Sequence, residues 1–241
     1  MSKKLEINFP KPKPKPKPKP QMSKIEIACF NPESAIIAFE NGADRIELCD
    51  GLSEGGTTPN FETAKQLRKK INIPIFVMIR PRGGDFTYSD AEFEQMKKEL
   101  IQLKSLNVDG FVFGILDEND EVNIEQNNIL VKLANPLPCT FHRAFDRAKD
   151  LENSLEKVIG CGFKTILTSG QKPNVSEGKE NLKKLVELSN GRIEILVGGG
   201  LRSTNIEEIR EVTKAGYFHS SAITDGGAFA NADEVVALKN K

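Results

Sequence analysis

Six short runs in this chain end in residues able to do chemistry: Arg45–Cys49, Val77–Asp85, Phe141–Asp146, Ile166–Gln171, Val197–Gly200 and Phe218–Ser221. Five of the six open apolar, and all close in charged, small or hydrogen-bonding side chains. Three features within them suit an anion. Arg80 and Arg82 flank Pro81, with Arg143 in a later run, and a planar guanidinium fork matches a carboxylate or phosphate. Gly198, Gly199 and Gly200 let backbone amides approach a ligand, and Ser169 and Gln171 add donors. The competing reading for the arginines is an internal ion pair to Glu47, Asp85 or Asp146.

Acid–base chemistry falls to Glu47, Asp146, His142 and His219. The chain has only two histidines, and each is predicted at a strand end, where a neighbouring carboxylate would tune an imidazole that titrates near neutrality. Their competing role is to hold the rim together by bonding loop carbonyls. For a metal, Cys49, Met78 and a histidine are the donors that would converge on a soft ion such as Cu(I). No CxxC or HxxxH spacing encodes such a site locally, and Cys139 and Cys161 sit in apolar or glycine-rich contexts that suit small core residues.

These groups need a frame that gathers strand ends. Strands are predicted at 25–30, 45–49, 75–80, 110–115, 139–143, 165–168, 193–197 and 217–219, with amphipathic stretches between them. Residues 88–106 place Phe93, Met96, Leu100 and Leu103 at helical spacing behind a Ser89/Glu92 capping box. Thr204 and Glu207 suggest a second box, and Asp150 a simple cap. Eight β/α alternations with near-continuous apolar strands predict a single TIM-like (β/α)8 barrel over residues 24–241. In such a barrel the polar clusters meet at the C-terminal face of the strands. No GxGxxG follows the first strand, and no GxxxxGK[ST] occurs.

Strand parity then sorts the side chains. If Arg80 faces the axis, so do Phe76 and Met78. Glu47 pairs with Cys49 on one face, and Glu26 with Ala28, which turns Cys29 towards the helices. His142 and Arg143 have opposite parity, so only one of them would point inward.

Charge narrows the partners. Residues 1–23 hold seven of the 34 basic residues and one of the 34 acidic ones, which leaves 27 against 33 and a net −6 for the remainder. An acidic body argues against nucleic acid. No apolar run approaches the roughly 18 residues needed to span a bilayer, so no membrane partner is expected. Four cysteines without a CxxC pair point to a reduced, cytoplasmic protein. The Lys-Pro alternation from Pro10 to Pro20 predicts an extended, disordered arm, and Met22 reads as an alternative start after it.

Seven motifs resemble one family, the CutC copper-homeostasis proteins: RIELCDGLSEGGTTPN at 45–60, VMIRPRGGDFTYS at 77–89, FVFGILDEND at 111–120, TFHRAFD at 140–146, ILTSGQ at 166–171, GGG at 198–200 and FHSSA at 218–222. The resemblance implies a TIM-like barrel, a cytoplasmic location, a homodimer or higher homo-oligomer, and a role in copper tolerance or Cu(I) binding. It also implies a departure. Members commonly carry a cysteine in the first strand, proposed to pair with the one matched by Cys49; here that position is Ala28. The two readings carried forward are copper handling and an enzyme of unassigned reaction acting on a small anionic, phosphorylated metabolite at the C-terminal face of the barrel.

Overall fold

The computed structural model describes residues 23–241. The Lys-Pro arm lies outside the described residues. Eight parallel strands close into one barrel in sequence order. They are β1 (Lys24–Cys29), β2 (Arg45–Leu48), β3 (Ile75–Met78), β4 (Gly110–Phe113), β5 (Cys139–Phe141), β6 (Thr165–Thr168), β7 (Glu194–Gly198) and β8 (Tyr217–Ser220). A helix follows each: α1 (Pro32–Glu40), α2 (Phe61–Lys70), α3 (Asp90–Lys104), α4 (Ile124–Ala134), α5 (Leu151–Gly160), α6 (Val175–Ser189), α7 (Ile206–Thr213) and α8 (Ala232–Lys239). The predicted TIM-like barrel is the observed fold.

Several predicted strands run one or two residues too far. β2, β3, β4 and β5 stop before Cys49, Arg80, Ile115 and Arg143, because the polar runs already leave the ladder and turn across the barrel mouth. After β5 the chain enters a 3₁₀ turn at Arg143–Arg147, whose start is capped by His142. The Ser89/Glu92 capping box opens α3 as expected, and Asp150 caps α5 by accepting from the Asn153 amide. The predicted Thr204/Glu207 box does not form. Asn205 stands at the N-cap of α7 instead, and its side chain turns back to the Arg202 amide and the Gly200 carbonyl.

Parity divides the core in two. Ile25, Ile27, Cys29, Ile46, Leu48 and their counterparts pack outwards against the helices in one large apolar cluster. The alternate residues fill the barrel: Cys49, Phe76, Met78 and Val112 in one cluster, Leu167, Leu196 and Tyr217 in another. Between these lies a buried charged layer. Register places Arg45 and His219 on either side of Glu26, and Glu47 beside Ala28. The Arg45 guanidinium pairs with Glu26 and is stacked between Phe76 and Tyr217, 4.0 and 4.6 Å from their ring centres. Such a layer is tolerated inside a barrel only because each charge meets an opposite one.

Candidate active site at the barrel mouth

A cavity of about 240 Å³ opens at the C-terminal ends of the strands. Ala28, Glu47 and Met78 form part of its floor, with His142, His219 and Arg80 in its wall and Arg143, Gly199, Gly200 and Arg202 towards the rim. The barrel closure brings them together from six strand ends.

The floor is a chain of charges. His219 Nδ1 is 2.7 Å from Glu26 Oε1, and its Nε2 is 3.8 Å from Glu47 Oε2. Burial alone would raise the Glu26 pKa, but the Arg45 charge and the hydrogen bond from His219 hold it at about 2. Glu47 goes the other way. Burial lifts it to about 6, with the nearby His219 opposing and Glu26 reinforcing that shift. His219 is raised: burial works against its charged form, but Glu47 and Glu26 outweigh it. Two carboxylates one strand apart thus differ in proton affinity because only one of them holds the arginine.

The wall carries groups without partners. Arg80, 5% exposed, donates through its terminal nitrogens to the carbonyls of Glu54, Gly56 and Gly84, and its Nε has no acceptor. It forms no ion pair among the described residues, so the expected alternatives of Glu47, Asp85 or Asp146 as its partner do not hold. His142 accepts the Ala144 amide on Nδ1 at 3.2 Å, and its Nε2 is buried without a partner. Burial and the Arg80 charge push its pKa down to about 3. Arg80 and His142 both pack on Phe86, at 4.8 and 4.9 Å. Glu47 Oε1 is likewise unpartnered.

Other predicted residues lie elsewhere. Arg82 is held by Glu92 and Asp85 on the outer side of the rim and does not line the cavity. Asp146 is absorbed by the loop after β6, accepting from Thr168 and from the Ser169 and Gln171 amides, so it is a loop anchor rather than a cavity acid. Ser169 bonds Asp146 and the Lys172 carbonyl, and the Gln171 amide bonds the carbonyls of Phe145 and Ala148. Gly198 packs on Leu167 and His219 beneath the cavity, while Gly199 and Gly200 line it. Gly199 has φ +109°, and a Cβ there would lie 3.1 Å from Arg143 Cζ. Arg143 reaches the cavity from the rim, bonded to Asp146 at 2.7 Å and Ser169 at 2.9 Å. Both His142 and Arg143 therefore reach the cavity, contrary to the parity expectation, since the strand has ended before either.

Two residues escaped sequence reasoning. Arg202 lines the cavity, bonded only to Ser220 Oγ and the carbonyls of Leu201 and Ile223. Its signal was available: an arginine two residues past the glycine run. Arg45 shares parity with Glu47, which was enough to place it inside the barrel.

The soft-metal donors fit poorly. Cys49 Sγ and the Met78 methyl carbon each lie 3.5 Å from the point a Cβ on Gly56 would occupy, and the two residues share one apolar cluster. Cys49 donates to Glu47 at 3.6 Å, and burial together with the Glu47 charge pushes its thiol pKa well above the ordinary value. Cys29 faces the helices and bonds the Ile27 carbonyl. With Ala28 in the facing position, no two-thiolate centre forms. Glu26, Glu47 and His219 bring ligand atoms within 4.8 Å of one another, but Arg45 already neutralises Glu26, and His219 stands between the two carboxylates.

A closed (β/α)8 barrel with a polar cavity at the C-terminal ends of its strands defines the class of protein. The particular kind follows from comparison: residues 23–224 match the CutC family model, and the chain belongs to that family. It is 46% identical over 198 residues to the human copper homeostasis protein cutC homolog, covering 82% of this chain and 72% of that one. A CutC family protein of Photorhabdus laumondii is 42% identical over 201 residues, 83% of this chain and 80% of the relative. The crystal structure of a putative copper homeostasis protein CutC from Streptococcus agalactiae superposes with TM-score 0.80 at 35% identity, covering 84% of this chain and all of that one. Phosphoribosyl anthranilate isomerase from Thermotoga maritima, at 15% identity and TM-score 0.62 over 90% of this chain and 97% of its own, shares the fold. Among the described residues no helix is long and apolar enough to cross a membrane.

Proposed function

We propose that this chain acts in the cytoplasm, in the copper-homeostasis role its relatives' names carry, and that its working part is the mouth cavity, which binds a small anionic molecule. One observation carries this reading: Arg80 lines the cavity as a buried guanidinium with no carboxylate partner among the described residues. A buried charge without a counter-charge is costly, and an anionic ligand supplies the missing partner. Arg202, equally free of ion pairs among the described residues, stands across the mouth, since β3 and β7 are opposite in an eight-stranded ring. The four cysteines are unpaired and buried, in keeping with a reducing compartment.

Calorimetric titration with inorganic phosphate and pyrophosphate tests the reading. Arg80→Ala is expected to weaken binding roughly 10–100-fold, the worth of a charge-assisted hydrogen bond of ~1.5–3 kcal/mol. Equal affinity in wild type and Arg80→Ala would remove this function from the cavity.

A second reading rests on Cys49 and Met78 sharing one buried cluster inside the barrel. It assigns them a single Cu(I), bound by one thiolate and one thioether. Binding requires Cys49 to lose its proton beside the Glu47 carboxylate, so affinity should be modest and should rise with pH. An anaerobic Cu(I) titration against a competing chelator is expected to lose binding in Cys49→Ala and keep it in Cys29→Ala. Stoichiometric binding that survives Cys49→Ala would eliminate this site.

A further inference from the structure

Three buried polar atoms without partners belong to side chains that line this one cavity: Arg80 Nε, His142 Nε2 and Glu47 Oε1. Their chemistry is complementary. The Ala144 amide donates to His142 Nδ1, so that nitrogen carries the lone pair and the ring's proton sits on Nε2. His142 is therefore a neutral donor held in one tautomer, and its low pKa keeps it so. Arg80 Nε is a second donor, packed on the same Phe86 ring. Glu47 Oε1 is an acceptor with nothing to accept. Two unspent donors and one unspent carboxylate oxygen are what a carbonyl compound with an acidic neighbouring C–H would use.

We infer that the cavity's ligand is a small anionic carbonyl compound, whose oxygen is held by His142 Nε2–H and Arg80 while Glu47 removes a proton from the adjacent carbon. This rests on the anion-binding reading above. In the step, the C–H bond breaks to Glu47, its electron pair forms a C=C bond, and the carbonyl π pair moves onto oxygen as an enolate. Reprotonation of the same carbon by the Glu47 carboxylic acid, once its proton has exchanged with solvent, restores the carbonyl and completes a hydrogen exchange that needs no oxidant or reductant. A neutral imidazole suits the donor role because it stabilises the oxyanion without surrendering a full proton.

Nuclear magnetic resonance of the full chain, with its histidines labelled with nitrogen-15, tests this directly, because only two imidazoles contribute. Oxalate, a planar mimic of an enolate, is the probe, with inorganic phosphate alongside. Oxalate should shift the His142 Nε2–H resonance. His142→Phe should weaken oxalate at least about tenfold while phosphate binding persists, and His142→Gln, which keeps both an acceptor and a donor, should recover part of the loss. Wild type in D2O should then deuterate the carbon next to the carbonyl of pyruvate, hydroxypyruvate or dihydroxyacetone phosphate at least about tenfold faster than buffer, and Glu47→Gln should stop it. If phosphate and oxalate bind but the Nε2–H resonance does not move, or no deuterium enters any of the three, the inference is overturned and the anion-binding reading stands. If neither anion binds, the anion-binding reading falls and takes this inference with it.

Discussion

Glu26→Gln should lower the melting temperature by roughly 10 °C at pH 7, the largest loss expected from any single charge in this protein. Glu26 is fully buried between Arg45 and His219, and among the described residues Arg45 has no other carboxylate in contact. Removing one member of a buried pair leaves the other charge uncompensated, at about 3–5 kcal/mol, and a domain of this size loses about 2–4 °C per kcal/mol. The pH dependence carries the sign. Glu26 has a folded pKa of about 2 against an ordinary value of 4.5, so its contribution is complete above pH 4.5 and disappears as pH falls through 2. The gap between wild type and variant should therefore close on acidification across that window. His219 runs oppositely. Its raised pKa makes its contribution complete below its ordinary value of 6.5 and lost as pH rises through the folded value. Thermal unfolding from pH 2 to 8 reads both effects. A gap that stays constant to pH 2 would mean the loss comes from packing rather than charge. Replacing the pair together, Glu26→Leu with Arg45→Met, should cost less than Glu26→Gln alone, because no unpaired charge remains.

The barrel was legible in the sequence because most of its strands are near-continuously apolar and alternate regularly with helical patterns, and the inward set followed from a period of two once Arg80 was placed. Parity put Cys29 among the helices and Glu47 beside Cys49 inside, as observed. It failed at His142 and Arg143, where the chain leaves the strand at Phe141 and period two no longer applies. The rim polar groups were the other gap. Asp146, Ser169, Gln171 and Arg82 have the residue types of a binding site, yet each is engaged by loop amides, carbonyls or carboxylates. Irregular loops must satisfy their own backbone groups, and one sequence does not show which side chains that demand will use. What distinguishes Arg80 and His142 from them is an unmet bond, visible only in three dimensions.

The loop after β6 depends on a contact that no side chain can enter, and Gly178→Ala should show it. Gly178 lies in α6, where a Cβ would stand 1.7 Å from the Ser169 carbonyl oxygen and 2.9 Å from its carbon. Alanine usually favours a helix by about 1 kcal/mol over glycine, and that gain works against the clash. Overpacking ordinarily costs about 1–3 kcal/mol. Here the neighbour is backbone, closer than any real contact, so the expected loss reaches ~3 kcal/mol or more, roughly a further 10 °C in melting temperature. The displacement should also reach the mouth. Ser169 Oγ accepts from Arg143, which packs over Gly199 at the cavity rim, so phosphate binding should weaken with stability. Gly160, at the end of α5, is the control: a Cβ there meets nothing within 4 Å, and Gly160→Ala should be neutral or stabilising by up to about 1 kcal/mol. Equal stability of the two variants would show that α6 can move off the β6 loop without cost. The close contact between them would then have no part in positioning Arg143.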